Sequence, residues 1–414
     1  MAVESSQQQR TTGRGVVNRI VIVGASAGGL ATAEALRRSG YTGAITLIGD
    51  EVERPYDRPP LSKQLLSGTW EPDRLALRAD ADLDAMDLDL RLGISATGLQ
   101  RTERAVTLAD GSHVLFDGLV VATGVRPRRL PGAAELTGLH VLRTLNDALT
   151  LQARLRGGGR LVIVGAGFVG AEVAATARAL GVEVTMLEAA EVPLAHAIGE
   201  SAGQFLTSLH TKNGVQVRTS TAVTEILGDQ GAVTGVRLAD ATVLPADDVL
   251  VAVGSTPNTE WLDDSELTVD NGVVCDEFGA AAPGVYAVGD VARWHNPTFG
   301  AAVRVEHRTN AAEQGMAVAH NLLNPDDPWS LATVPYFWSD QYDTKIQAFG
   351  HLSSHDEALV VDNDVAQGRL LVAYRKGNQL VGVLAAGMSP KALRSWRAHV
   401  VSGADWASVL SETG

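Results

Sequence analysis

Two segments of this chain repeat one pattern, and the repetition limits what the chain can fold into. Residues 19–29 read Arg-Ile-Val-Ile-Val-Gly24-Ala-Ser26-Ala-Gly28-Gly29, and residues 160–170 read Arg-Leu-Val-Ile-Val-Gly165-Ala-Gly167-Phe168-Val-Gly170. Each opens with a fully apolar, β-branched run, turns on glycine and continues into an alanine-rich helical stretch, over 30–39 and 171–180. Each then reaches a second apolar strand followed by an acid: 45–48 before Asp50, and 184–187 before Glu188. Strand, glycine turn, helix, strand and acid in that order make a dinucleotide-binding unit. The expected fold is therefore α/β, with two Rossmann-like dinucleotide-binding domains. From about Val334 the pattern changes to aromatic residues, then alternating strand runs at 358–361, 370–374 and 380–384, then a helical stretch through Leu393, Trp396 and Val400. This predicts a separate C-terminal α+β domain beyond a linker at 324–328.

The second glycine fingerprint is complete. Gly165 permits the tight turn, Gly167 lets the backbone approach a pyrophosphate, and Gly170 lets the helix pack on the strand. The helix N-terminus offers free N–H groups to phosphate. Glu188 follows about 20 residues on, where a carboxylate accepts from a ribose 2′-hydroxyl. Ala189, Ala190 and Glu191 come next, with no cation. A 2′-phosphate would be repelled there, so NADH is preferred over NADPH unless a distant Arg folds back. The first fingerprint carries Ser26 in place of the middle glycine. Its Cβ crowds a pyrophosphate, while its hydroxyl can donate to a phosphate oxygen. Further apolar strands end in turns at Thr123-Gly124, Gly254 and Gly289-Asp290, the strand ends where α/β sheets bind ligands.

Composition removes several function classes. Among 414 residues, 34 are Lys or Arg and 48 are Asp or Glu, a net charge of −14. Such a chain is a poor general nucleic-acid binder. Its single cysteine, Cys275, cannot form an internal disulfide or a Cys-x-x-Cys pair, and its strand-like setting marks it as core. No run approaches the ~18 apolar residues of a membrane helix. The polar N-terminus lacks an apolar signal region, so residues 1–17 read as a disordered tail and a cytoplasmic location is expected.

Taken in order, GASAGGL (24–30), ERPYDRPPLSK (53–63), VVATGVRPR (120–128), VIVGAGFVGAEVA (162–174), VAVGSTPNT (251–259), GVYAVGD (284–290) and YFWSDQY (336–342) resemble one family. It is the oxygenase-coupled, FAD-dependent NADH:ferredoxin reductases, which include putidaredoxin reductase, rubredoxin reductase and the reductases of aromatic dioxygenases. Apoptosis-inducing factor is a more distant cousin. The resemblance implies a glutathione-reductase-like layout. An FAD-binding domain in two parts, 18–120 and 249–328, would be split by an NADH-binding domain at 121–248 and followed by the C-terminal domain at 329–414. It further implies cofactor contacts at Gly24, Ser26, Gly28, Gly29, Asp50, Lys63, Thr123, Gly124, Arg143, Gly289, Asp290 and Arg308, and at Gly165, Gly167, Gly170, Glu188 and Gly254. No metal site is expected.

The same resemblance suggests the chemistry. Lys63 lies in a loop like the one that places a lysine near flavin N5, with Glu172 on the nicotinamide side. Their pair either orients the isoalloxazine edge and parts when NADH enters, or is a plain interdomain salt bridge. Phe168 resembles an aromatic shield over the flavin, or packs in the core. Trp338 resembles an aromatic on the electron exit, or packs in the C-terminal domain. The segment 303–310 looks like the start of a helix whose N-terminus stabilises reduced flavin, with Arg308 where relatives carry an apolar residue, often Trp or Val. His307 and His351 read as structural or surface residues. LSKQLL (61–66) contains no thiol, so disulfide reduction and cysteine-peroxidase chemistry are excluded.

Electrons would leave for an iron–sulfur ferredoxin, or a rubredoxin, that feeds a monooxygenase or dioxygenase. Docking needs a local basic patch drawn from Arg304, Arg308, Lys345, Arg375, Lys376, Lys391, Arg394 and Arg397, on a monomer or homodimer. Two other readings are a flavin-bound redox sensor and an NADH:quinone dehydrogenase. The latter needs an amphipathic, membrane-facing C-terminus, which Arg394, Arg397, Ser402, Gly403 and Asp405 interrupt.

Overall fold

The computed structural model describes residues 17–131, 135–353 and 355–413. The tail expected over 1–17 lies, apart from Val17, outside them. The sequence repeat becomes two parallel sheets built alike. In the first, Arg19–Val23 lies between Ala44–Ile48 and Gly118–Val121, parallel to both. Asp89–Arg91 and Val285–Ala287 extend the parallel set, and Ala280–Ala282 closes one edge antiparallel. In the second, Arg160–Val164 lies between Glu183–Leu187 and Asp248–Val251, with Gln216–Arg218 and Leu139–His140 beyond. The helices Ala27–Arg38 and Phe168–Ala179 follow the two glycine turns. Each unit also carries a three-stranded antiparallel meander before its last central strand, over 96–115 and 223–245.

The central strands read as unbroken apolar runs because both faces are covered. Alternation still sorts them. Ile20 and Ile22 join Leu36 and Val318 under the helices, whereas Val21 and Val23 join Val106, Phe116 and Trp294 toward the meander.

The chain crosses between the two units on an antiparallel ribbon, Val125–Pro127 against Ser255–Pro257. Thr123 Oγ1 donates to the Asn258 carbonyl at 2.8 Å, and Asn258 N donates to the Gly124 carbonyl at 3.0 Å. Boundaries at 120/121 and 248/249 therefore cut through the strands Gly118–Val121 and Asp248–Val251. The physical reason is that an apolar strand ending in a glycine turn looks the same on either side of the crossing.

The last third forms a five-stranded antiparallel sheet in the order Tyr336–Gln341, Thr344–Gly350, Gln379–Ala386, Arg369–Lys376, Glu357–Asp364. Two helices, Pro390–Ser402 and Trp406–Thr413, follow. One sheet face packs on the first of these through Phe349, Leu371, Leu393, Trp396 and Val400. The other shares a core with the helix Glu200–Lys212 through Leu206, Leu209, Val372, Tyr374 and Leu384. The apolar face of Pro390–Ser402 is thus buried inward against the sheet. Among the described residues no helix is long and apolar enough to cross a membrane.

Candidate functional site at the junction of the two nucleotide units

The strand ends Val23 and Val251, one from each parallel sheet, open into one cavity of about 1040 Å³. The same local device shapes the glycine turn of each unit. Gly24 takes φ +124°, and a Cβ there would lie 2.0 Å from the Ala122 carbonyl oxygen. Gly165 takes φ +103°, and its Cβ would lie 2.4 Å from the Ala252 oxygen. Each turn is pressed against the end of a neighbouring strand, where only glycine fits. Ser26 caps the helix Ala27–Arg38 without a side-chain cap bond and lines the cavity.

The wall fits a long ligand bearing phosphates and hydroxyls. Arg58 Nε, Trp261 Nε1 and His307 Nδ1 belong to lining residues and are buried without a hydrogen-bond partner. Buried polar atoms are rarely left unpaired, so these donors and acceptors point to a bound group. Asp290 Oδ2 lies 3.2 Å from the Arg143 guanidinium; burial pushes its carboxyl pKa up, and Arg143 opposes that shift. Arg58 is fixed from behind, pairing with Glu51 at 2.5 Å and donating to the Arg143 carbonyl at 2.7 Å. A glycine turn at a helix N-terminus, orphan donors and a buried carboxylate suit FAD.

On the second unit Glu188 is held rigidly. Its carboxylate accepts from Ala166 N at 3.0 Å and Ala190 N at 2.9 Å. Gly29, Gly165, Gly170 and Glu188 are not among the residues that line the cavity. Gly24, Ser26, Gly28, Asp50, Lys63, Thr123, Gly124, Arg143, Gly167, Phe168, Glu172, Gly254, Gly289, Asp290, Arg308 and Trp338 lie on its wall.

The two units meet at Lys63 and Glu172. Lys63 Nζ lies 2.6 Å from Glu172 Oε2, and the two side chains are 10% and 8% exposed. Ser62 Oγ donates to the same oxygen at 2.5 Å. Phe168 meets Phe337 edge-on at 4.8 Å, and Phe337 lies 4.9 Å from the His307 ring. Trp338 stacks with Tyr336 at 5.9 Å.

Several expectations change. The helix within 303–310 starts only at Arg308, with His307 as its N-cap; the residues before it form the strand Ala301–Arg304, paired with Ala292–Asn296. His307 is a wall residue, and burial pushes its pKa down to about 4. His351 is half-buried and bonds Ser353 at 3.3 Å. Cys275 is buried, its thiol pushed up to about 12, which suits a core residue and not a nucleophile. Three of the candidate docking cations are ion-paired. Arg304 pairs with Glu306 at 2.6 Å, Arg308 with Asp57 at 2.9 Å and Arg375 with Glu357 at 2.9 Å. Lys391, Arg394 and Arg397 remain exposed on the helix Pro390–Ser402, and Lys345 and Lys376 are exposed on the sheet.

Sequence reasoning missed Asp57, Phe337, Ser339, Gln341 and His210. The first four sit inside segments already singled out. His210 carries no local sign, since its partners are remote in sequence.

Two nucleotide units facing one cleft, with no thiol on its wall, define a flavin- and nicotinamide-dependent oxidoreductase. The pattern described as pyridine nucleotide-disulphide oxidoreductase matches residues 18–315, and that described as reductase C-terminal matches 336–408. Rhodocoxin reductase of Rhodococcus erythropolis is 37% identical over 366 residues, covering 88% of this chain and 85% of that protein. Putidaredoxin reductase of Pseudomonas putida is 38% identical over 375 residues, covering 88% of each. The crystal structure of the covalent putidaredoxin reductase–putidaredoxin complex matches with a TM-score of 0.88 at 35% identity, over 93% of both chains. The chain belongs to the pyridine nucleotide-disulphide oxidoreductase family, in its ferredoxin-reductase branch, whose cofactors are FAD and NAD(H).

Proposed function

We propose that this chain takes a hydride from NADH and delivers electrons to a small iron–sulfur ferredoxin that serves an oxygenase. The observation that carries this reading is the thiol-free cleft in which the two nucleotide units meet at Lys63 and Glu172. Bound FAD would supply the chemistry that converts a two-electron hydride into single electrons. The first sheet, with Gly24, Ser26, Asp50, Arg143 and Asp290, would hold FAD, and the second, with Gly165, Gly167 and Glu188, would hold NADH. Phe168 covers the place that nicotinamide takes. Lys63 and Glu172 hold the reacting edge, and Trp338, on the first strand of the C-terminal sheet, lines the electron exit.

The reading is tested by NADH-driven cytochrome c reduction with and without a two-iron ferredoxin at low salt. A strong ferredoxin-dependent rise is expected. No rise despite rapid flavin reduction by NADH would mean that the acceptor is wrong.

The docking surface is assigned to Lys391, Arg394 and Arg397, which form one exposed stripe. The triple variant Lys391→Glu/Arg394→Glu/Arg397→Glu is expected to raise the ferredoxin KM roughly tenfold at low salt, with the difference fading at high salt. Ferricyanide reduction reports whether the NADH half-reaction is intact. An unchanged ferredoxin KM would place the docking surface elsewhere.

Glu188 sets the nicotinamide nucleotide. Glu188→Ala is expected to raise the NADH KM roughly tenfold through loss of a charged hydrogen bond, and to weaken discrimination against NADPH. FAD content should not change. Steady-state KM values for both nucleotides check this; an unaltered ratio would show that another residue selects.

A further inference from the structure

We propose that Ser339, Gln341 and His210 are positioning residues that act through Glu172, forming with Tyr342 a one-way hydrogen-bond chain from the C-terminal sheet into the cavity. This inference rests on the NADH-reductase reading above.

The direction of the chain follows from its last member. Glu172 Oε1 lies 2.7 Å from Ser339 Oγ. An ionised carboxylate only accepts, so Ser339 donates. Its oxygen then accepts from Gln341 Nε2 at 3.1 Å. That leaves the Gln341 carbonyl Oε1 facing His210 Nε2 at 3.0 Å, so Nε2 carries the ring proton. His210 Nδ1 is then an acceptor, and Tyr342 O–H donates to it at 2.8 Å. Reversing any link breaks the next. Burial pushes the His210 pKa down to about 4, which keeps the ring neutral as the chain requires.

The three middle members are at most 1% exposed, so water cannot replace a lost link. They come from two elements, and Glu172 from a third. Ser339 and Gln341 alternate on the strand Tyr336–Gln341, His210 lies on the helix Glu200–Lys212, and Glu172 lies on the helix Phe168–Ala179. Their surroundings are the apolar core shared by Leu206, Leu209, Val372 and Leu384. Apolar side chains would fill such a site without desolvating polar groups. What the polar chain adds is orientation. Ser339 holds Oε1 on the C-terminal side, which turns Oε2 to Lys63 at 2.6 Å and Ser62 at 2.5 Å. The two carboxylate oxygens are thus divided between the C-terminal sheet and the loop that carries Lys63.

The test uses the full-length, FAD-loaded protein. In wild-type protein labelled with ¹⁵N-histidine, the His210 ring should appear at neutral pH as the neutral Nε2–H tautomer, assigned by its loss in His210→Gln. In stopped flow, Ser339→Ala and Gln341→Leu should each lower the limiting rate of flavin reduction by NADH roughly tenfold, below the roughly 100-fold cost of a 1 Å misplacement. Half-saturating NADH should stay within about twofold, because nucleotide binding is anchored at the distant Glu188 turn. An Nδ1–H or protonated His210 overturns the chain whether or not the variants fold. Wild-type rates in folded, FAD-loaded variants overturn it while leaving the reductase reading intact. A wild-type flavin that NADH does not reduce overturns both.

Discussion

Lys63→Met should slow NADH-driven flavin reduction roughly 100-fold, equivalent to about 2.7 kcal/mol of barrier. Methionine keeps the length of the stem and removes the charge and its donors. Glu172, 6% exposed, would keep only Ser62 and Ser339 as partners. Removing one member of a buried ion pair costs about 3–5 kcal/mol, because the other charge stays behind. Instability and lost chemistry must therefore be separated. The double variant Lys63→Met/Glu172→Gln removes both charges, so its thermal midpoint should recover toward wild type while its reduction rate should not. If the rate returns with the stability, the pair is an interdomain tie and nothing more. Stopped-flow loss of flavin absorbance and thermal unfolding decide between them.

Gly29→Ala should yield protein without bound FAD and with a much lower thermal midpoint, whereas Gly28→Ala should keep most of its flavin. The two glycines are neighbours, yet what a methyl would meet differs. At Gly29 the Cβ would lie 1.9 Å from the Gly24 carbonyl oxygen, a backbone atom inside the tight turn. That oxygen cannot retreat without opening the turn that Gly24 N closes onto the Ile48 carbonyl at 2.8 Å. The cost should exceed the about 1–3 kcal/mol of ordinary overpacking. At Gly28 the nearest atom is Val288 Cγ2 at 3.2 Å, a side-chain methyl that can shift by a few tenths of an ångström. Flavin absorbance of the purified proteins and their melting curves measure both effects. Equal behaviour of the two variants would show that the fingerprint tolerates a shifted turn.

Much of the fold is legible because its signals are local. A β-branched run, a glycine and an alanine-rich stretch each act within a few residues, and both units fold where those signals stand. The strand Thr344–Gly350 is not legible. Lys345 and Gln347 interrupt its apolar residues Ile346, Ala348 and Phe349, and what makes it a strand is pairing on both sides, with Tyr336–Gln341 and Gln379–Ala386. The helix Trp406–Thr413 is missed as well. It is short and forms the end of the chain, beyond the turn at Gly403.

The site divides in the same way. Gly24, Gly165, Lys63 and Glu172 are readable because turn glycines and loop motifs carry their chemistry with them. The sequence alone also excludes thiol chemistry, since one cysteine cannot make a pair. Whether a charge is available is not readable. Arg308 and Arg375 look like docking cations until folding sets Asp57 and Glu357 against them. His210 becomes part of the Glu172 support only because a helix of the second unit and a strand of the C-terminal sheet share one core. Backbone pattern is dictated by near neighbours. Electrostatic and hydrogen-bond partners are dictated by whichever distant elements burial brings together, and only the tertiary structure decides that.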